Sequence, residues 1–178
     1  MVASRRPLAP FVAAAAVLSL ALWPVQIDRA FGLPAHPLFL HVPVVFVPLL
    51  GIAALATAVS RRLDARYGLH VAVFGVVTLI ATLLTAGAGE AFREDRERAL
   101  QPVAQTLADH ADAGAAVRFT VAILTLALAA ALFTRGIPKT VLRVLTVLLA
   151  ITAIVFTVRA GHLGAELAWG TESIQPTR

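Results

Sequence analysis

The chain of 178 residues has no cysteine. That excludes disulfides, thiolate metal sites, covalently attached c-type haem and an iron–sulfur cluster of its own. Charged residues are also scarce, 14% against the roughly one quarter usual in soluble domains, while 59% of the chain is hydrophobic. Acids are the scarcer sign: ten Asp and Glu face fifteen Lys and Arg, for a net charge of +5. No stretch alternates apolar and polar residues with period two, which argues against a membrane β-barrel. Nothing resembles a phosphate-binding loop, a nucleophile with its base, or the broken-helix pattern of a transporter.

What the chain does have is long apolar runs, at residues 8–27, 38–59, 69–88, 113–133 and 141–158. Each is close to the roughly 20 residues an α-helix needs to cross about 30 Å of hydrocarbon. The sequence therefore predicts an all-α integral membrane protein with five spans. Eight basic residues, Arg5, Arg6, Arg61, Arg62, Arg66, Arg135, Lys139 and Arg143, fall on the side of the N-terminus with a single acid, Asp64. By the positive-inside rule that side is cytoplasmic, the C-terminus is external and the protein is multi-pass in the cell membrane. The pI near 11.2 is then an orientation signal, not a nucleic-acid-binding patch. Arg5 and Arg6 before an apolar run also fit a signal peptide, but the run is long and lacks a convincing cleavage site, so it reads as an uncleaved helix.

The organisation follows: residues 1–32 as an N-terminal transmembrane helix, 33–170 as a four-helix membrane bundle, and 171–178 as a short external tail. Residues 60–68 and 134–140 read as short basic loops between antiparallel neighbours. The long external connection, 90–112, begins with good helix formers of mixed charge, so the third span is expected to continue out of the membrane for two turns or more. Pro102 should break it, and a new helix carrying His110 should lead into the fourth span. Gly87, Gly89, Gly114, Gly161 and Gly164 sit towards the outer side, where small residues let helices approach or leave room for a flat cofactor.

Four of the five histidines, His36, His41, His110 and His162, map to that same end, on three helices. Imidazole is the commonest metal ligand, and an ionisable group inside a span is a functional candidate. Pro37 suits the first position of the second span, which would put His36 at its cap and His41 one turn inside. Five helical residues turn about 140°, so those two rings should not share a face, and Pro43 should loosen or kink the helix nearby. Arg159, His162 and Glu166 form one polar stripe, Glu90 supplies another acid at the same depth, and Arg118 lies two turns deeper than His110 on the fourth span. His70 lies alone at the other end.

Two motifs resemble a bacterial membrane family known as domain of unknown function 2231. The first is His36 and Pro37 followed by His41 and Pro43, with Val42 where an aromatic is usual. The second is Gly161, His162, Gly164 and Leu167, with Ala165 in place of a common glycine; Trp169 is similar to the family's aromatic position. The resemblance covers residues 33–170. It implies a histidine-bearing four-helix layout like that of b-type cytochromes and, through related domains beside Rieske or c-type cytochrome modules, redox work. Here only His70 lies at the inner end, so the chain departs from the two-haem pattern and supports one haem at most.

The leading expectation is therefore haem b binding and electron transfer at one outer-side site. Two of His36, His41, His110 and His162 would be axial ligands, with His41 and His162 the pair inside the motifs. Arg118, Arg159, Glu90 or Glu166 would tune charge or anchor propionates. The alternatives are a divalent metal site, Zn, Cu or Fe, built from the same histidines with Glu166 and Glu90, or a structural subunit working by helix contacts. Expected partners are the lipid bilayer and a redox protein or quinone, with no nucleic acid.

Overall fold

In a computed structural model, residues 6–98 and 105–169 are described. A short helix, α1 (Ala9–Ser19), is followed by α2 (Ala35–Phe39), α3 (His41–Val59), α4 (Arg61–Arg98), α5 (Gln105–Ala131) and α6 (Gly136–Trp169). Four helical stretches are long and apolar enough to cross a membrane: Ala35–Val59, Arg61–Arg93, Gln105–Ala131 and Gly136–Trp169. Helix α3 packs on α4 and α6, and α5 packs on the same two, which closes a ring of four antiparallel neighbours. Helix α1 lies in the seam between α4 and α5. Accordingly 61% of the apolar windows of α4 and α5 is buried, against 28% and 22% for Ala35–Val59 and α6, whose outer faces are left to lipid.

The first helix is shorter than the expected run of residues 8–27. Its apolar helical stretch is Ala9–Leu22, the last turn being 3-10. Pro24 supplies no N–H to prolong the ladder, and residues 23–28 instead cross the end of the bundle. There the Val25 carbonyl lies directly on Gly87 of α4, so close that no side chain would fit at that position. The chain then turns back through a two-residue hairpin, β1 (Arg29–Ala30) and β2 (Leu33–Pro34). Both turn residues have positive φ, Phe31 at 53° and Gly32 at 78°, as a primed turn requires.

The second span is interrupted where its prolines dictate. The N–H that residue 43 would offer to the Phe39 carbonyl does not exist in Pro43, and α2 gives way to α3 at Leu40. Pro37 lies in the third position of α2, so His36 falls within the first turn, not at the cap as expected from the sequence.

The two basic segments are helical starts, not the loops expected at 60–68 and 134–140. Ser60 alone joins α3 to α4, and its hydroxyl accepts the Leu63 N–H at 3.3 Å, capping the new helix. Asp64 then takes Lys139 at 2.7 Å and Arg143 at 2.9 Å, tying the start of α4 to the start of α6. At the opposite end α4 continues helically through Arg98, as its sequence predicts. The expected break at Pro102 lies outside the described residues.

Six threonines satisfy their hydroxyls within their own helix, as a lipid environment favours. Thr57, Thr78, Thr82, Thr85, Thr120 and Thr157 each donate to the carbonyl four residues earlier. Thr125 is different: it donates across the interface to the Gly75 carbonyl at 3.1 Å. Of the five glycines read as packing positions, Gly87, Gly89 and Gly164 meet close neighbours, whereas Gly114 and Gly161 have open space where a side chain would project. Gly51, against Ile154, and Gly75 are contact glycines not singled out by sequence.

Candidate functional site: a two-imidazole cluster

Two of the histidines meet. His36, on α2, donates its Nδ1–H to the Thr85 carbonyl of α4 at 3.0 Å. His110, near the start of α5, donates its Nδ1–H to the Ala160 carbonyl of α6 at 2.9 Å. The carbonyl acceptors fix the tautomers, since a carbonyl cannot donate: Nδ1 carries the proton and each Nε2 keeps its lone pair. The ring centroids are 6.1 Å apart and nearly perpendicular, at 82°.

Each ring rests on a glycine. A Cβ at Gly89 would stand 3.0 Å from His36 Cε1 and Nδ1, and one at Gly164 would stand 3.1 Å from His110 Cε1. The small residues noted in the sequence are thus the seats that let the imidazoles reach the backbone carbonyls. Four helices contribute: two carry the rings and two hold them.

A charge cluster adjoins the pair. Glu90 follows Gly89 directly and takes Arg118 of α5 at 2.8 Å. Arg118 is 9% exposed, and its guanidinium lies 4.2 Å over the face of Trp23, which in turn packs on Phe119 at 4.8 Å. The buried Arg118 Nε has no partner. The segment after α1 therefore closes over the only buried arginine among the described residues, using the aromatic face as a second, apolar-compatible counter-charge. The sequence puts Glu90 at the depth of the histidines and Arg118 two turns deeper than His110, and neither joins the two nor points to Trp23. A tryptophan immediately before a proline at the end of an apolar run was the available signal.

The other predicted residues lie elsewhere. His41 is exposed, with only a loose 3.4 Å approach of Nδ1 to the Leu38 carbonyl, so His36 and His41 do face apart as their spacing requires. His162 is also exposed; its Nε2 lies 3.1 Å from Glu166 Oε1 one turn on, and Arg159 on the same stripe is exposed as well. These three belong to the outer face of α6 and do not approach the imidazole pair. The expectation that at least three histidines share one cavity is not met, because the helical phase that turns His36 and His110 inward turns His41 and His162 outward. His70, at the basic end, lies beside Tyr67. Among the described residues no group of three or more His, Cys, Asp or Glu is placed to hold a metal ion.

The chain belongs to the family described as predicted membrane protein (DUF2231), whose model matches residues 32–173. It matches no curated protein and no solved structure.

Proposed function

We propose that this DUF2231 membrane protein holds a haem b through His36 and His110 and serves in electron transfer. The observation that carries this reading is the pair of Nε2 lone pairs presented by two backbone-anchored imidazoles with no third protein donor beside them. Anchoring of the distal nitrogen is how ligating imidazoles are commonly oriented. A metal–imidazole bond of about 2.0–2.1 Å puts the centroids of two opposed rings roughly 6–6.5 Å apart, and these lie at 6.1 Å. A four-ligand non-haem site would need two more donors, and Glu90 is already committed to Arg118. A group that brings its own four equatorial nitrogens needs only two from the protein.

Gly89 and Gly164 seat the two rings, and the nearest charge cluster is the Glu90–Arg118 pair, which an acidic substituent would have to share with Glu90. When bound, haem would supply one-electron chemistry. The chain's own contribution is to fix both imidazoles, keep their neighbourhood apolar and set its charge through Glu90 and Arg118. A quinone or a redox protein would be the partner. The test is direct: protein purified in detergent from haem-replete cells should show a Soret band of a low-spin species. Protein that stays colourless and takes up no added haemin overturns the reading.

The basic end, with Arg61, Arg62, Arg66 and Arg135, places itself in the cytoplasm on this reading and the imidazoles towards the outside. Reporter fusions should be active at Arg135 only when they are cytoplasmic reporters, and within residues 99–104 only when they are external ones. The opposite pattern reverses the orientation and with it the side from which electrons would arrive.

A further inference from the structure

We infer that the groove between α3 and α4 at the basic end binds an anionic phospholipid, one acyl chain lying in the groove and the phosphate at its rim. This inference is independent of the haem reading and concerns the opposite end of the bundle. The groove has a volume of about 400 Å³, within the range of small-molecule sites, and its lining is almost wholly apolar. Ala53 and Ala56 of α3 form one wall; Leu63 and Phe74 of α4 form the other. It exists because alanines on α3 face large side chains on α4 and do not fill the space between the helices.

The rim says which lipid fits. Tyr67 and His70 line the groove at its polar end, with ring centroids 6.3 Å apart, and the Arg66 guanidinium lies 5.2 Å from the Tyr67 ring. Arg61 and Arg62 are exposed one turn earlier on the same helix. Asp64, the acid in this stretch, is turned away towards Lys139 and Arg143 of α6. An apolar trough beside a helix start that carries Arg61, Arg62 and Arg66 complements a hydrocarbon tail bearing a negative headgroup. A zwitterionic headgroup would bring a second cation against Arg66. Clusters of basic residues at a membrane surface attract anionic lipid by about 1 kcal/mol per residue.

The experiment compares phosphatidylglycerol with phosphatidylcholine of the same acyl chains, added to the full-length protein in neutral detergent. Native mass spectrometry and thermal unfolding are the readouts. Phosphatidylglycerol should be retained preferentially and raise the unfolding temperature, and inorganic phosphate alone should do neither. Arg66→Gln, a surface change, should lower the preference about fivefold, which is about 1 kcal/mol. Ala56→Trp, which fills the groove, should abolish retention while the helical signal is unchanged. Equal retention of the two lipids would mean an unspecific lipid annulus, and a shift reproduced by inorganic phosphate would mean a bare anion site; either overturns the inference. An unchanged preference in Arg66→Gln does so too, and this variant decides should Ala56→Trp fail to fold.

Discussion

Alanine at His36 or at His110 should remove the low-spin absorption completely while leaving a folded, membrane-inserted protein. Loss of an axial imidazole removes a coordinate bond that no apolar neighbour can replace, so the effect on bound haem is all or none. The effect on the fold is small by comparison. Each imidazole contributes one neutral hydrogen bond, Nδ1–H to Thr85 or to Ala160, worth about 1 kcal/mol net. Alanine at His41, His70 or His162 should leave the spectrum intact, since all three are exposed and none approaches the pair. The measurement is absorbance per protein, with circular dichroism as the control for folding. Loss of the spectrum in the His41 and His162 variants with its retention in those of His36 and His110 would transfer the ligands to the two family motifs. A full spectrum in all five would place the haem on other residues.

The second large effect is an asymmetry at the neighbouring ion pair. Removing Glu90 leaves a guanidinium only 9% exposed without its carboxylate, and Nε already has no partner. Breaking a buried pair by removing one partner costs about 3–5 kcal/mol; because the Glu90 side chain is 48% exposed, a smaller cost, about 2 kcal/mol, is expected here for Glu90→Ala. Arg118→Met removes the buried charge itself and keeps much of the packing on Trp23, so it should cost clearly less. The double variant should resemble Arg118→Met, not the sum of the two. Thermal unfolding followed by tryptophan fluorescence checks this, since Trp23 lies directly under the guanidinium. Equal costs for the two single variants would show that Arg118 reaches water and that the pair acts as a surface ion pair.

The long spans and their termini were legible because they depend on short-range rules. Runs of about 20 apolar residues marked the four-helix bundle. Pro43 marked the interruption near Leu40. The helix formers after Glu90 marked the extension of α4, and five-residue spacing set His36 and His41 on different faces. What sequence could not supply is which helix each inward face meets. His36 finds His110 only because α2 is laid against α4 while α5 closes on α6, and the acceptors, the Thr85 carbonyl for His36 and the Ala160 carbonyl for His110, carry no sequence signature at all. Gly75 was hidden for the same reason: its role is to let Thr125 reach a backbone oxygen on another helix. The first helix is shorter than the apolar run because residues 23–27, apolar enough to continue it, instead close over Gly87 and Arg118. Family membership beginning at residue 32 leaves this closure outside the matched region.

The interruption at Pro43 has a mechanical consequence. A continuous helix transmits bending and sliding along its length through its ladder of bonds, and here the ladder lacks the one bond that residue 43 would give to Phe39. The five residues that carry His36 are held to α4 through Thr85 and Gly89, and to their own span through the Leu40–His36 and Val44–Leu40 backbone bonds. The proline removes one backbone bond at this point, and the hydrogen bond to Thr85 keeps the ring in register with α4 across it.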